Sequence, residues 1–191
     1  MNVTNQCSNR CCFCIRNFKD GVAGFNLKLS KEPSVDEIIS ELQNVLNRKN
    51  WREIVFCGFG EPLQRLDCVL DVARWIKRHY GKIVSIRVNT NGQAVLLNKE
   101  RDAVRELKEA GVDKLSVSLN AHDKETYDQV CRPAFEDAFE SVLKFIEKAK
   151  NQFDVEITAV TLPEVDISKV EELARKIGVR FRRREYVPCF W

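Results

Sequence analysis

Strand-like and helix-like stretches alternate along this chain from one end to the other. Ser34-Val35-Asp36-Glu37 has the form of a capping box, and Val35, Ile38, Ile39, Leu42, Val45 and Leu46 follow at helical spacing. Ile54-Val55-Phe56-Cys57 reads as a short apolar strand ending at Gly58. A helix is expected over Leu66 to Tyr80, a strand over Lys82 to Asn89, a helix over Asn98 to Ala110 and a strand over Leu115 to Asn120. A short helix from Asp123 and a longer one from Ala134 to Lys150 come next. A strand near Val155 to Leu162, a helix over Ile167 to Ile177 and a strand near Val179 to Tyr186 complete the series. With an extended start over Asn2 to Gln6, six strands are expected, each but the last followed by a helix. Such alternation calls for an α/β domain with a parallel sheet.

Two architectures satisfy that pattern: a doubly wound sheet and an open six-stranded partial barrel. A closed eight-unit barrel needs about 250 residues, and the chain has 191. In a sheet covered by helices on both faces, both strand faces are apolar. Here Arg87 and Asn89 share one face of their strand, and Ser116, Ser118 and Asn120 share one face of the next. A barrel interior that holds a polar ligand fits these strands better. No linker or low-complexity tract divides the chain, so residues 1–191 are expected to form one domain.

The charge is nearly balanced, with 31 Lys and Arg against 28 Asp and Glu. A dedicated DNA or membrane binder concentrates basic residues on one face, and this sequence has no such excess. No apolar run approaches the roughly 20 residues of a membrane span. The start, Met1-Asn2-Val3-Thr4-Asn5, has neither the basic residues nor the apolar stretch of a secretory signal. A cytoplasmic location is the expectation.

Four of the eight cysteines fall together, at Cys7, Cys11, Cys12 and Cys14; Cys57, Cys68, Cys131 and Cys189 are scattered. In a reducing compartment a tight cluster binds metal or reacts more often than it forms disulfides. Cys7, Cys11 and Cys14 are spaced C-x3-C-x2-C. Iron–sulfur cubes held by four cysteines use one per iron. Three thiolates leave one iron open, and an open position is what separates a reacting metal site from a structural one. Cys12 follows Cys11 directly and points away from it, a poor partner on the same cube. A structural zinc site would want a fourth ligand nearby, and His79 and His122 are both distant and isolated. Cys131 and Cys189 lack companion cysteines and read as buried or incidental.

The stretch Cys7-Ser8-Asn9-Arg10-Cys11-Cys12-Phe13-Cys14 resembles the C-x3-C-x-aromatic-C signature of the radical S-adenosylmethionine (SAM) superfamily, with Phe13 in the aromatic place. The fuller run from Asn2 to Asn17 is similar to the small radical SAM proteins associated with TatD-type nucleases. The resemblance continues in order along the chain. Cys57-Gly58-Phe59-Gly60-Glu61-Pro62 resembles the family's G-G-E-P motif, with Phe59 replacing one glycine. It implies that Gly58 and Gly60 let backbone approach the SAM methionine moiety and that Glu61 meets its amino group. Val88-Asn89-Thr90-Asn91-Gly92 resembles the T-N-G strand end, and Val117-Ser118-Leu119-Asn120 resembles V-S-L-D. By that likeness Asn89 and Ser118 match ribose contacts, and Asn120 lies near the SAM carboxylate. Val160 is placed by position to pack on adenine.

On the last strand Arg180, Arg182 and Arg184 share one side, and interior guanidinium groups want anionic partners. Arg182 or Arg184 is therefore expected to bind the SAM carboxylate or an anionic substrate, the alternative being a solvated edge strand. The resemblance implies a (β/α)6 partial TIM-type barrel and a [4Fe-4S] cluster held by Cys7, Cys11 and Cys14. It implies reductive cleavage of S-adenosylmethionine to a 5′-deoxyadenosyl radical that takes hydrogen from a substrate. A ferredoxin or flavodoxin type of electron donor belongs to the same expectation. The substrate is left open among anionic metabolites, nucleotides and macromolecules. The rival class is a non-catalytic iron–sulfur protein for electron transfer or binding. It accounts for the cysteines but leaves Glu61 and the polar strand faces unexplained.

Overall fold

Parallel strands cannot be joined by a tight turn, so each pair requires a crossover, and the helical stretches supply it. The computed structural model describes residues 1–22, 24–48 and 51–187. A small antiparallel ribbon, β1 (Gly21–Val22) and β2 (Phe25–Asn26), lies in the loop after the cysteines. There follow α1 (Val35–Leu46), β3 (Glu53–Phe56), α2 (Leu66–Tyr80), β4 (Ser85–Thr90), α3 (Ala94–Leu97) and α4 (Ala103–Glu109). The chain continues through β5 (Lys114–Ser118), α5 (Lys124–Cys131), α6 (Ala138–Ala149), β6 (Asp154–Val160), α7 (Ile167–Ile177) and β7 (Arg180–Arg184). The main sheet has the order β3-β4-β5-β6-β7, and every neighbouring pair is parallel. No helix among the described residues is long and apolar enough to cross a membrane.

The helices form where their termini are satisfied. Ser34 accepts from Glu37 N and the Glu37 side chain accepts from Ser34 N, closing the expected capping box on α1. Asp123 and Asp166 cap α5 and α7 in the same sense. One face of each inner strand carries the core. Phe56, Ile86, Val88, Leu115, Val117 and Ile157 are buried against Leu70, Ile76, Leu107 and Ile146 of the helices. At roughly 25 cal/mol per Å² of apolar surface removed from water, this single layer is the main source of stability.

Among the described residues the sheet has five strands where six are expected. Asn2 to Gln6 runs beside β3 without a ladder. It touches β3 and its exit through Cys57 N donating to Met1 O at 2.9 Å and Glu61 N to Gln6 O at 2.7 Å. Its polar side chains make their hydrogen bonds to the loop that follows the cysteines. Asn2 Nδ2 donates to Leu27 O, Asn5 Nδ2 to Leu29 O, both at 2.7 Å, and Thr4 Oγ1 to Glu32. The segment thus fastens the 27–32 loop instead of extending the sheet. The helix expected over Asn98 to Ala110 starts only at Ala103, because Asn98 closes the separate short helix α3 and Asp102 caps α4 by accepting from Arg105 N. The helix expected from Ala134 starts at Ala138. Ala134 N donates to Ser8 O at 2.8 Å, and Pro133 bridges Asn9, so these residues are held by the cysteine loop.

Candidate functional site

The cysteine loop lies against the C-terminal ends of the strands and is pinned from both sides. On one side Arg10 N donates to Cys131 O and Cys12 N to Val130 O, both at 3.0 Å. On the other, Arg16 reaches back across the loop. Its Nη1 donates to Asn5 O at 2.7 Å and its Nε to Cys14 Sγ at 3.4 Å. Cys7, Cys11 and Cys14 all line one cavity of about 220 Å³; Cys12 does not. Cys12 is half-buried against the core instead, as expected for a residue that points away from Cys11. Burial pushes the Cys7 thiol up to about 11. A hydrogen bond between Cys11 and Cys131 lowers Cys11 and raises Cys131, so the proton between them belongs to the deeper thiol. Cys189 falls outside the described residues.

The exit of β3 forms the facing wall of the same cavity, through Gly58, Phe59, Gly60 and Glu61. Gly60 is obligatory for a reason the sequence does not display. A Cβ there would overlap Thr4 O and Gln6 O, both of them backbone atoms of the segment that leads into the cysteines. The close approach therefore seats the cysteine loop. Glu61 is fully buried. Its Oε1 accepts from Leu63 N at 3.0 Å and Thr90 Oγ1 at 2.8 Å, and its Oε2 from Asn91 N at 2.6 Å. Burial nonetheless raises its pKa to about 7, against the lowering effect of those donors.

The strand faces opposite the core are polar, as expected, and largely paired. Arg87 and Lys114 meet Glu53 at 2.9 and 3.0 Å. Asn89, Ser118 and Asn120 line the cavity of the three cysteines, together with Phe13, Arg182 and Arg184. Asn89 Oδ1 and Arg184 Nε are buried without a protein partner. Asn120, at φ 59°, accepts from Arg184 Nη2 at 3.3 Å. The two arginines left as alternatives now differ. Arg182 is half-exposed and bound to Glu156 at 2.8 Å. Arg184 is more enclosed, and burial lowers its pKa. Arg180 lies outside the cavity and pairs with Asp154. Val160 lies in an adjoining cavity of about 350 Å³, which shares Cys11, Phe13, Cys14, Gly58 and Arg184 with the first. A larger apolar groove of about 470 Å³ runs along α1 and β3, walled by Ile38, Leu42, Val45 and Trp51; it contains no thiol.

Local reading does not show that Asn9, Asn91, Gln93 and Tyr127, all buried, form one bonded cluster at this site. They meet across separations of 34 to 118 residues. In sequence, Asn9 and Asn91 stand in motifs and Gln93 and Tyr127 in none.

The chemistry of the donor set fits an iron–sulfur cube. Soft thiolates select such clusters, and a cube spreads its cysteines over separate irons. Among the described residues no three His, Cys, Asp or Glu side chains gather closely enough to hold one metal ion. Three thiols facing a common cavity are what a larger inorganic core requires. The orphaned Asn89 Oδ1 and Arg184 Nε are what a second, polar ligand in the same cavity would satisfy.

A parallel, open α/β sheet with a three-thiol loop at its C-terminal ends defines a class of cofactor-dependent enzymes. Residues 1–177 match the profile of the radical SAM superfamily, and the chain belongs to it. Its cofactors are therefore those of the superfamily, a [4Fe-4S] cluster and S-adenosylmethionine. The chain is 34% identical over 132 residues to a GTP 3′,8-cyclase of Limosilactobacillus fermentum, covering 69% of this chain and 36% of that one. It is 29% identical over 195 residues to a GTP 3′,8-cyclase of Corynebacterium glutamicum, covering 98% of this chain and 48% of the relative. The chain thus spans about half the length or less of these curated relatives. Among solved structures, HydG, a maturase of the [FeFe]-hydrogenase, superposes with a TM-score of 0.70 at 18% identity, covering 98% of this chain and 42% of HydG. That likeness is one of fold, and it is consistent with the partial-barrel reading.

Proposed function

We propose that residues 1–191 form one radical SAM core domain in which Cys7, Cys11 and Cys14 hold the [4Fe-4S] cluster and the remaining iron takes S-adenosylmethionine. When bound, the two cofactors supply reductive cleavage to a 5′-deoxyadenosyl radical that abstracts hydrogen from substrate. The observation that carries this reading is the convergence of the three thiols and buried Glu61 on one cavity. Glu61 Oε2 holds one donor, Asn91 N, and keeps acceptor capacity for the cofactor's amino group. Asn89 and Ser118 take the ribose, and Asn120 lies beside the carboxylate. Phe13 and Val160 enclose the adenine in the adjoining cavity. Gly58 and Gly60 bring the β3 exit against the methionine moiety.

Arg184 is the arginine best placed for an anion, since it lines the cavity and its buried Nε has no protein partner. Arg182 contributes charge from the rim while tied to Glu156. An anionic substrate follows from this, and a nucleotide is the first candidate because the relatives named above are GTP 3′,8-cyclases. A one-electron donor of ferredoxin or flavodoxin type completes the reaction. The test is anaerobic reconstitution followed by dithionite and S-adenosylmethionine. The reading predicts 5′-deoxyadenosine and methionine. A reducible cluster that never cleaves S-adenosylmethionine would establish the electron-transfer or binding alternative instead.

A further inference from the structure

The turn after β4, Thr90-Asn91-Gly92-Gln93, grips both halves of the candidate site. Towards β3 it holds Glu61, through Thr90 Oγ1 and Asn91 N. Towards the cysteine loop it extends two buried side chains. Asn91 Nδ2 donates to Ser8 Oγ at 2.8 Å and lies 3.9 Å from Cys7 Sγ, within reach of a sulfur acceptor. Gln93 Nε2 donates to Asn9 Oδ1 at 2.7 Å and to Tyr127 Oη at 2.8 Å.

The orientation of the Asn91 amide is settled by its partners. Its Oδ1 accepts from Gln93 N at 3.0 Å, so its two N–H groups are directed at Ser8 and Cys7. The reversed amide would set N–H against N–H at Gln93 and carbonyl oxygen against the thiolate. The turn itself has little room to adjust. Gly92 sits at φ 79°, and a Cβ there would crowd Val117 and Val142. Cys7 Sγ also receives Asn9 N at 3.4 Å, so two N–H donors converge on this one sulfur.

We propose that Asn91 is a positioning residue that fixes the Cys7 corner of the cysteine loop relative to Glu61 and, through its N–H, raises the electron affinity of the cluster held there. The inference rests on the cluster reading above. Hydrogen bonds to ligand sulfurs are a recognised lever on cluster potential, because they stabilise the added negative charge of the reduced state. The backbone N–H of residue 91, which serves Glu61, is untouched by changing the side chain. The effect is therefore expected on the cluster more than on cofactor affinity.

The experiment compares the wild type with Asn91→Ala, the near-isosteric Asn91→Asp, and Gln93→Ala. Each is reconstituted anaerobically and titrated to its midpoint potential by electron paramagnetic resonance. Asn91→Ala should shift the reduction equilibrium about tenfold towards the oxidised cluster, ~59 mV for one electron. Asn91→Asp should shift it further, since a negative charge replaces the donor. Gln93→Ala retains the backbone N–H that orients Asn91. It should lose cluster on standing sooner, with a potential within about twofold of the wild type in the same equilibrium. Failure of Asn91→Asp to take up a cluster, in protein that still melts cooperatively, supports the holding role. Potentials unmoved in both Asn91 variants overturn the inference alone. A wild type that assembles no cluster overturns the underlying reading, and this inference with it.

Discussion

Replacing Glu61 with Gln separates the roles of its charge and its shape. The carboxyl is fully buried, and burial raises its pKa from the ordinary 4.5 to about 7. In the folded protein without cofactor it is therefore about half protonated at neutral pH. Because the folded value is the higher one, its stabilising contribution is complete below about 4.5 and is lost as pH rises through about 7. A bound amino group reverses the preference, since it donates to the ionised carboxylate. Cofactor binding must then expel the proton below pH 7, and affinity should fall by up to tenfold per unit as pH drops from 7 to 6. Above pH 8 the Glu61 contribution should be flat. Glu61→Gln removes the charge and turns an amide N–H toward Asn91 N, which Oε2 now satisfies at 2.6 Å. Losing one partner of a buried charged contact costs about 3 kcal/mol, roughly a hundredfold in affinity. The assay is equilibrium binding of S-adenosylmethionine to anaerobically reconstituted protein from pH 6 to 8.5. The variant should bind weakly and lack the step near pH 7. Superimposable pH profiles for the two proteins would refute the assignment of Glu61 to the amino group.

Other substitutions follow from the same geometry. Gly60→Ala drives a Cβ into Thr4 O and Gln6 O, neither of which can rotate away; a loss of about 1–3 kcal/mol is expected by thermal unfolding, with less iron retained. Tyr127→Phe strips the shared acceptor from Asn9 and Gln93 and should cost about 1–3 kcal/mol in urea denaturation. Arg184→Ala should weaken binding of an anionic ligand at least tenfold by calorimetry, whereas Arg182→Ala, which loses a half-exposed pair with Glu156, should cost under about 1 kcal/mol of stability.

Much of the fold was legible because the deciding signals are local. Ser34 and Glu37 announce α1, the apolar repeat from Leu66 bounds α2, and the alternation of Asn89 and Arg87 against Val88 foretells one polar and one buried face. The segment Asn2 to Gln6 stays outside the sheet because Asn2, Thr4 and Asn5 spend their side chains on the 27–32 loop, a choice that extended backbone does not reveal. α6 starts four residues after Ala134 because Pro133 and Ala134 are bound to residues more than a hundred positions away. At the site, Cys7, Cys11 and Cys14 stand in a short motif whose spacing carries their chemistry, and Glu61 stands in one whose role comes from its resemblance to the family's G-G-E-P. Asn9 and Asn91 also stand in motifs and Gln93 and Tyr127 in none, but no motif shows that the four form a clamp. It exists only once β4, α5 and the cysteine loop have met.

The account depends on three thiolates leaving one iron of the cube open to the sulfonium cofactor. Mössbauer spectroscopy of anaerobically prepared, iron-57-labelled protein measures that directly. One iron in four should change its signal when S-adenosylmethionine is added, in the wild type and in Cys12→Ser alike, and no cube should form when Cys7, Cys11 or Cys14 is replaced. Four equivalent irons that ignore the cofactor, or a cube that needs Cys12 as well, would contradict it.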